Sequence, residues 1–256
     1  MGRVYDDARL AGVYQVGNEM PAEALRVWAE VIGAFAPRPG PVVVEIGAGT
    51  GMFCAALAEW GHASRVVGVD PSVAMLGEAL RYNAHPRVRY VAGSADAVPT
   101  RGGLFDLALL SRVVHHLPDR RACARELARV LRPDGVVVIR TTFRERLDAL
   151  VYHYWPRLRD SDERRFPGRE EVVADFAACG FALREIDSLA QPVTASLHEF
   201  HARMTTRPQS KFTRLTDAEY DEGLRRLAID AAAEPEDAPR PVQERYDIAV
   251  FARTSG

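Results

Sequence analysis

Residues 41–51 read Pro-Val-Val-Val-Glu-Ile-Gly-Ala-Gly-Thr-Gly, and Met-Phe-Cys-Ala-Ala-Leu-Ala-Glu-Trp-Gly follows at 52–61. A β-branched run that ends in alternate glycines and enters an apolar periodic segment predicts a strand, a tight turn and a helix. Glycines at 47, 49 and 51 let the backbone turn sharply and approach a ligand where a Cβ would collide. A dinucleotide-binding turn has the form Gly-x-Gly-x-x-Gly and sets a pyrophosphate on the helix N-terminus. Here the third glycine comes one residue early, and Glu45 stands two residues before the first. An acid at that strand end suits a cation better than a pyrophosphate.

Outward from this turn the same alternation repeats. Strands are predicted at 65–70, 87–93, 104–111 and 135–141, with helices over 72–82 and from Asp119 to Leu131, the last ended by the Pro-Asp-Gly turn at 133–135. The strands are continuous apolar runs, as a parallel sheet covered on both faces requires. Further strands are predicted at 181–187 and 242–252. The expected fold is α/β: a Rossmann-like, doubly wound, seven-stranded, mostly parallel sheet with helical cap insertions. The chain, 1–256, reads as one domain with a cofactor-binding core at 41–141. Residues 1–40 carry an amphipathic helix near 21–35, and segments 142–166 and 188–240 are expected outside the sheet as a cap over its C-terminal edge.

Asp70 ends the second strand about twenty residues after the glycine turn, where a carboxylate can take both hydroxyls of a ribose. Ser94-Ala95-Asp96 follows the third strand, placed to meet an adenine edge, and Ser111 ends the fourth, with His115 and His116 just beyond. In VVVEIGAGTG (42–51), VVGVDPSVAML (66–76), GSADAVP (93–99), FDLALLSRVVHHLPD (105–119) and ELARVLRPDGVVVI (126–139) the chain resembles the class I S-adenosylmethionine-dependent methyltransferases. The resemblance is to their small-molecule, type 11 branch, which includes ubiquinone and menaquinone biosynthesis enzymes. It implies S-adenosyl-L-methionine as cofactor, with Glu45, Gly47, Ala48 and Gly49 cradling its methionine and ribose parts. It further implies Asp70 with Pro71 at the ribose and Met75 on the adenine face. Asp96 would accept from the adenine amino group beside Ser94 and Ala95, and Ser111 would lie near the sulfonium.

For the methyl acceptor the resemblance is nearly silent. A base is needed only for a weakly acidic hydroxyl, and His115, His198 and His153 are the candidates. His115 has a plainer alternative as packing for the turn. His198 and His201, three apart on one helical face, have an alternative as a surface pair, and no carboxylate at useful spacing makes them a metal site. Tyr152, His153 and Trp155 either line an aromatic pocket or form cap core. Tyr5 and Tyr14 are expected to close the cofactor site. The mixed-sign run 157–165 reads as a solvated face, with anion binding by Arg164 or Arg165 as the sharper alternative.

Absences narrow the chemistry. After the fourth strand stands Ser111-Arg-Val-Val, not the Asn/Asp-Pro-Pro-aromatic of amino-methylating enzymes, a Pro-Cys nucleophile, or a carboxylate for magnesium. The expectation is metal-free transfer to an O or N atom, less readily C, of a small molecule that is aromatic or acidic, in secondary metabolism. The alternative is a protein of this fold that binds the cofactor as a ligand-binding module or a non-methylating enzyme.

The 256 residues carry 33 basic and 35 acidic side chains, a net charge of −2 that argues against a nucleic-acid binder working by charge. With 47% hydrophobic and 27% charged residues the composition is that of a globular chain. Lys211 is the sole lysine, and the arginine excess reads as coding bias. Cys54, Cys123 and Cys179 are scattered, with no metal or disulfide spacing. Neither a signal peptide nor an apolar run of ~18 residues is recognised. A cytoplasmic protein without membrane or nucleic-acid partner, able to pair as a homodimer, is expected.

Overall fold

Among the residues described in the computed structural model, 20–207 and 210–254, seven strands form one sheet. They are β1 (Val42–Ile46), β2 (Arg65–Asp70), β3 (Val88–Ala92), β4 (Phe105–Ser111), β5 (Leu131–Thr141), β6 (Phe181–Thr194) and β7 (Val242–Arg253). Their spatial order is β3–β2–β1–β4–β5–β7–β6. Strands β1 to β5 pair in parallel, and β7 runs antiparallel between β5 and β6. The chain moves outward from β1 to β3, then crosses to β4 on the other side. The C-terminal ends of β1 and β4 therefore flank the crevice where open α/β sheets bind ligands.

Both faces are covered, which is why the central strands read as unbroken apolar runs. Val43, Val66, Leu107, Leu109, Val136 and Val138 pack under the helices Ala22–Ala34 and Met52–Glu59. Val44, Ile46, Ala108, Leu110, Val137 and Ile139 pack with residues of Arg120–Val130 and Arg169–Ala177 on the opposite face. Ser72 caps the helix Val73–Tyr82 by accepting from the Met75 N–H, and Asp119 caps Arg120–Val130 by accepting from that of Ala122.

Three expectations shift. The Pro-Asp-Gly stretch does not separate helix from strand: β5 starts at Leu131, opposite Phe105, and Val136 faces Leu107. Residues 132–135 are thus extra length on one side of a bulge. The sixth strand runs on to Thr194, seven residues past its expected end, because β7 offers a partner along its whole length, Thr194 facing Val242. Segment 188–240 is accordingly not all cap; residues 188–194 belong to the sheet. Tyr5 and Tyr14 lie outside the described residues.

The remaining cap has its own core. Tyr154, Trp155, Leu158, Leu197, Phe200, Met204, Phe212, Tyr220 and Leu227 are buried against one another. The Trp155 ring stacks on Tyr220 at 5.7 Å, and its Nε1–H donates to the Tyr220 carbonyl at 3.0 Å. Helix Leu197–Met204 is held at its start by the Glu234 carboxylate, which accepts the backbone N–H of Leu197 and of His198. The run 157–165 is not wholly solvated. Asp162 is buried within it and accepts from the Tyr152 hydroxyl and the Arg214 guanidinium.

Candidate active site

The glycine turn is built by backbone conformation first. Gly47, Gly49 and Gly51 have φ of 68°, 53° and 81°, the left-handed region that side chains disfavour. Crowding adds to this at two of them: a Cβ on Gly47 would meet Val113 at 2.4 Å, and one on Gly51 the Tyr90 hydroxyl at 2.2 Å. The turn is pinned from the neighbouring strand. The Gly47 and Ala48 N–H groups donate to the Val69 carbonyl, and Gly49 N–H donates to Asp70 Oδ2 at 2.8 Å. The other Asp70 oxygen accepts from the Ser72 N–H at 2.8 Å.

Glu45, one residue before the end of β1, is 3% exposed and accepts from the Cys54 thiol at 2.9 Å. Burial pushes its carboxyl up to about 8, with the nearby Asp70 adding to the rise and the Cys54 hydrogen bond opposing it. The same burial drives the Cys54 thiol upward, so the pair is a carboxyl and a thiol, not a reactive thiolate.

On the β4–β5 side of the turn lies a cavity of about 920 Å³, counted with its open mouth. Glu45, Gly47, Ala48, Gly49 and Ser111 form its floor, with Met20 and Phe53 on one wall. The opposite wall comes from β6, β7 and the cap: Gln191, Val193, Arg203, Met204, Glu244 and Tyr246. Arg140 projects from β5 into this space and is 1% exposed. Its guanidinium lies 4.0 Å from the Tyr246 ring centre, 4.6 Å from Trp28 and 5.2 Å from Phe53. It donates to Gln191 Oε1 at 2.5 Å and, at 3.4 Å, to the Ser111 hydroxyl. A smaller cavity sharing Arg112, Glu244 and Tyr246 continues toward Tyr152, Phe166 and Lys211.

The structure brings Glu45, Gly47, Ala48, Gly49 and Ser111 together at this cavity. Asp70, Pro71 and Met75 lie on the other side of β1, at the end of β2 and the start of the next helix; Asp70 and Met75 are buried and Pro71 is exposed. Ser94, Ala95 and Asp96 follow β3 still farther out, the Ser94 hydroxyl donating to Asp96 Oδ1 at 2.5 Å.

The three histidines proposed for catalysis are not gathered there. His115 stacks on Phe166 at 4.2 Å and touches His116 at 4.1 Å, and it lines neither cavity. Burial lowers its pKa to about 2, so it stays neutral and accepts a proton poorly. Its Nδ1 is buried without a hydrogen-bond partner among the described residues. His153 is exposed on the outside of the cap, edge-on to Tyr154 at 4.9 Å. His198 is exposed beyond the start of its helix, because Leu197 and Phe200 take the inward face. Trp155 is cap core, while Tyr152 lines the smaller cavity. Arg164 and Arg165 are exposed.

The cavity residues missed by sequence reasoning are Arg112, Arg140, Gln191, Arg203, Glu244 and Tyr246. The usable signal was Arg140, a charge ending the apolar run Gly-Val-Val-Val-Ile at 135–139. No cluster of His, Cys, Asp or Glu among the described residues could hold a metal. No described helix is long and apolar enough to cross a membrane.

Residues 44–139 match the profile of a family described as a methyltransferase domain. A demethylmenaquinone methyltransferase of Roseiflexus castenholzii is 32% identical over 150 residues, which is 58% of this chain and 63% of that enzyme. The chain spans less than two thirds of the length of the curated relatives it matches first. An Anabaena variabilis protein, described as a methyltransferase of an antibiotic biosynthesis pathway, superposes with a TM-score of 0.71 at 21% identity, covering 91% of this chain and 98% of that one. The [4+2]-cyclase SpnF superposes with a TM-score of 0.60 at 18% identity, covering 94% and 84%. These two likenesses are of fold.

Proposed function

We propose that this chain, whose residues 44–139 form a methyltransferase domain of the class I S-adenosylmethionine-dependent kind, methylates an oxygen or nitrogen of a small molecule seated under the cap. The observation that carries this reading is the turn after β1. An acid, Glu45, faces the cavity from one side of it, and a second acid, Asp70, holds its backbone from the other. The donor set fits S-adenosylmethionine. Between positions 47 and 49 the largest side chain is the Ala48 methyl, so backbone lies open to the cavity, and the adjacent carboxyl suits a cationic group.

When bound, S-adenosylmethionine supplies a methyl group on a positively charged sulfur. Asp70 would hold the ribose hydroxyls, Met75 the adenine face, and Asp96 with Ala95 its edge. Glu45 and the 47–49 backbone would hold the methionine part, with Ser111 nearest the reacting centre. The chain's further contribution is enclosure. Val193, Met204, Phe53 and Met20 narrow the cavity and exclude water from a nucleophile held in line. No histidine faces that space among the described lining residues, so an acceptor proton would pass to Glu244, whose carboxylate lines both cavities and accepts from the Tyr246 hydroxyl.

The fold alone does not imply transfer, as the superposable cyclase shows. Incubation with methyl-labelled S-adenosylmethionine and a panel of phenols, amines and aromatic acids decides the matter. Label recovered in an acceptor supports the proposal. Tight cofactor binding with no label transferred to any member overturns it in favour of a binding or non-methylating protein.

A further inference from the structure

Glu244 and Tyr246 stand two apart on β7 and so share one face of the sheet, where the Tyr246 hydroxyl donates to Glu244 Oε2 at 2.5 Å. Both line the larger and the smaller cavity, as does Arg112 just past β4, so the two spaces meet at a neck built by these three residues. Beyond the neck the smaller space measures about 490 Å³, counted with its open mouth, a size that small-molecule pockets share. Glu45 and the glycine turn lie in the larger cavity only and are taken by the cofactor in the reading above. An acceptor whose reacting atom lies between Ser111 and Glu244 can extend the rest of its body through the neck.

The space past the neck is a built one. Three rings line it, Tyr152, Phe166 and Tyr246. Phe166 is backed by the His115 ring stacked on it at 4.2 Å. Tyr152 is fixed through its hydroxyl, which donates to the buried Asp162 at 2.9 Å, and Asp162 also accepts from Arg214 at 2.7 Å. Of the cations here, Arg146 pairs with Asp247 at 2.9 Å and Arg245 donates to the Ser188 hydroxyl at 3.2 Å. Lys211, from the short turn Ser210–Arg214, differs from both. Its ammonium lies 4.7 Å from the Tyr152 ring centre and 4.0 Å from Asp162 Oδ2, so ring and carboxylate answer its charge. That carboxylate oxygen is nevertheless beyond hydrogen-bond length, and none of the three N–H donors is taken by a described residue.

We infer that the space past the neck is a second acceptor subsite, which takes an aromatic ring carrying a carbonyl oxygen remote from the methylated atom. Lys211 is its specificity-determining residue and donates to that oxygen. This rests on the methyltransferase reading above and adds the acceptor's chemical class. Three ring faces favour an aromatic guest, and a donor in their midst favours an oxygen acceptor on it. Burial lowers the pKa of Lys211, with Glu244 and Asp162 opposing the fall and Arg112 adding to it. As ammonium or as amine the side chain keeps N–H donors, so the role does not depend on its charge.

The probes are para-hydroxyacetophenone beside para-ethylphenol, and the biphenyl homologues of both, titrated into protein saturated with S-adenosylhomocysteine. In at least one of the two pairs the ketone is expected to bind at least roughly tenfold tighter than the ethyl compound, as a hydrogen bond from a charged donor implies. Lys211→Met, close in length but without donors, should erase that preference while S-adenosylhomocysteine affinity stays within about threefold. A second measurement needs no variant. Lys211 is the sole lysine, so acylation followed by peptide mass mapping reads its ε-amino group alone. The preferred ketone at saturation should slow that acylation several-fold. Ethyl compounds binding as well as ketones in both pairs, or neither ketone binding at millimolar concentration, overturns the inference. So does a preference that survives Lys211→Met, or acylation that the ketone leaves unchanged. An equal loss of S-adenosylhomocysteine affinity in the variant also overturns it, by giving Lys211 to the cofactor. A wild-type protein that fails to bind S-adenosylhomocysteine instead sinks the methyltransferase reading itself.

Discussion

The Asp70 carboxylate at the end of β2 accepts the Gly49 N–H at 2.8 Å, so the acid proposed for the ribose is also the brace of the turn after β1. Asp70→Ala is therefore expected to do two things at once. Cofactor affinity should fall by roughly tenfold to a hundredfold, the equivalent of losing about 1–3 kcal/mol of charged hydrogen bonding. The melting temperature without ligand should fall as well, because the Gly49 and Ser72 N–H groups lose their acceptor. Calorimetry with S-adenosylhomocysteine and a thermal melt on the same preparation check both; an unchanged dissociation constant removes the ribose assignment.

Glu45 gives a proton-linked signature. Its carboxyl is pushed up to about 8 in the protein, so it is mostly protonated at neutral pH. A cation arriving beside it favours the charged form and lowers that value. Binding S-adenosylmethionine at pH 7 should release up to about one proton, and affinity should rise with pH toward 8. Calorimetry in buffers of different ionisation enthalpy measures the release. Glu45→Gln should abolish it.

The pKa of His115 is shifted the other way, downward, and bears on stability rather than on cofactor affinity. It takes no proton in the folded state until about pH 2, whereas an unfolded chain protonates it near 6.5. The unfolded state therefore binds more protons as pH drops below 6.5, and stability is lost in that direction. His115→Phe, which keeps a ring against Phe166, should make the fall in melting temperature below pH 6.5 shallower. Turnover should stay within about threefold of wild type, since a general base typically contributes ~100-fold or more. A loss of that larger size would restore His115 as the base.

Gly223 sits in the middle of the helix Asp217–Ala232, where alanine is normally the better residue. Here a Cβ would stand 2.1 Å from Trp155 Nε1. Gly223→Ala should destabilise the protein by about 1–3 kcal/mol, as overpacked cores do. Acceptor turnover should suffer more than S-adenosylhomocysteine affinity, because the damage is confined to the cap. Denaturant melts and ligand titrations on this variant check the split.

The central sheet and the glycine turn were legible because their signals are local. Glu45, Gly47, Gly49 and Asp70 are positioned by β-branched runs and by turns that a few neighbouring residues dictate. The cap was not legible at residue level. His153 and Trp155 are two apart, and only the packing of Tyr220 and Phe212 decides that the indole turns inward and the imidazole outward. The extent of the sixth strand, expected to end at 187, is set by its pairing with β7 as far as Thr194 and Val242, which lie far apart in the chain. Arg140 shows the same limit most clearly. Its place among Trp28, Phe53, Gln191 and Tyr246 joins positions as far apart in the chain as Trp28 and Tyr246, and no window of sequence holds that information.

The place of β7 has a consequence for how such a chain comes into being on the ribosome. Spatially it lies between β5 and β6, yet it is synthesised after both. Before its arrival β6 has no neighbour in the sheet, Gln191 is not brought to Arg140, and the wall bearing Tyr246 and Glu244 does not exist. A nascent chain can complete five parallel strands and the glycine turn while its substrate chamber is still unbuilt. Ligand competence is thus conferred by the strand made last of the seven, and an incompletely translated copy would display the apolar rim of β5 to chaperones and proteases rather than act prematurely.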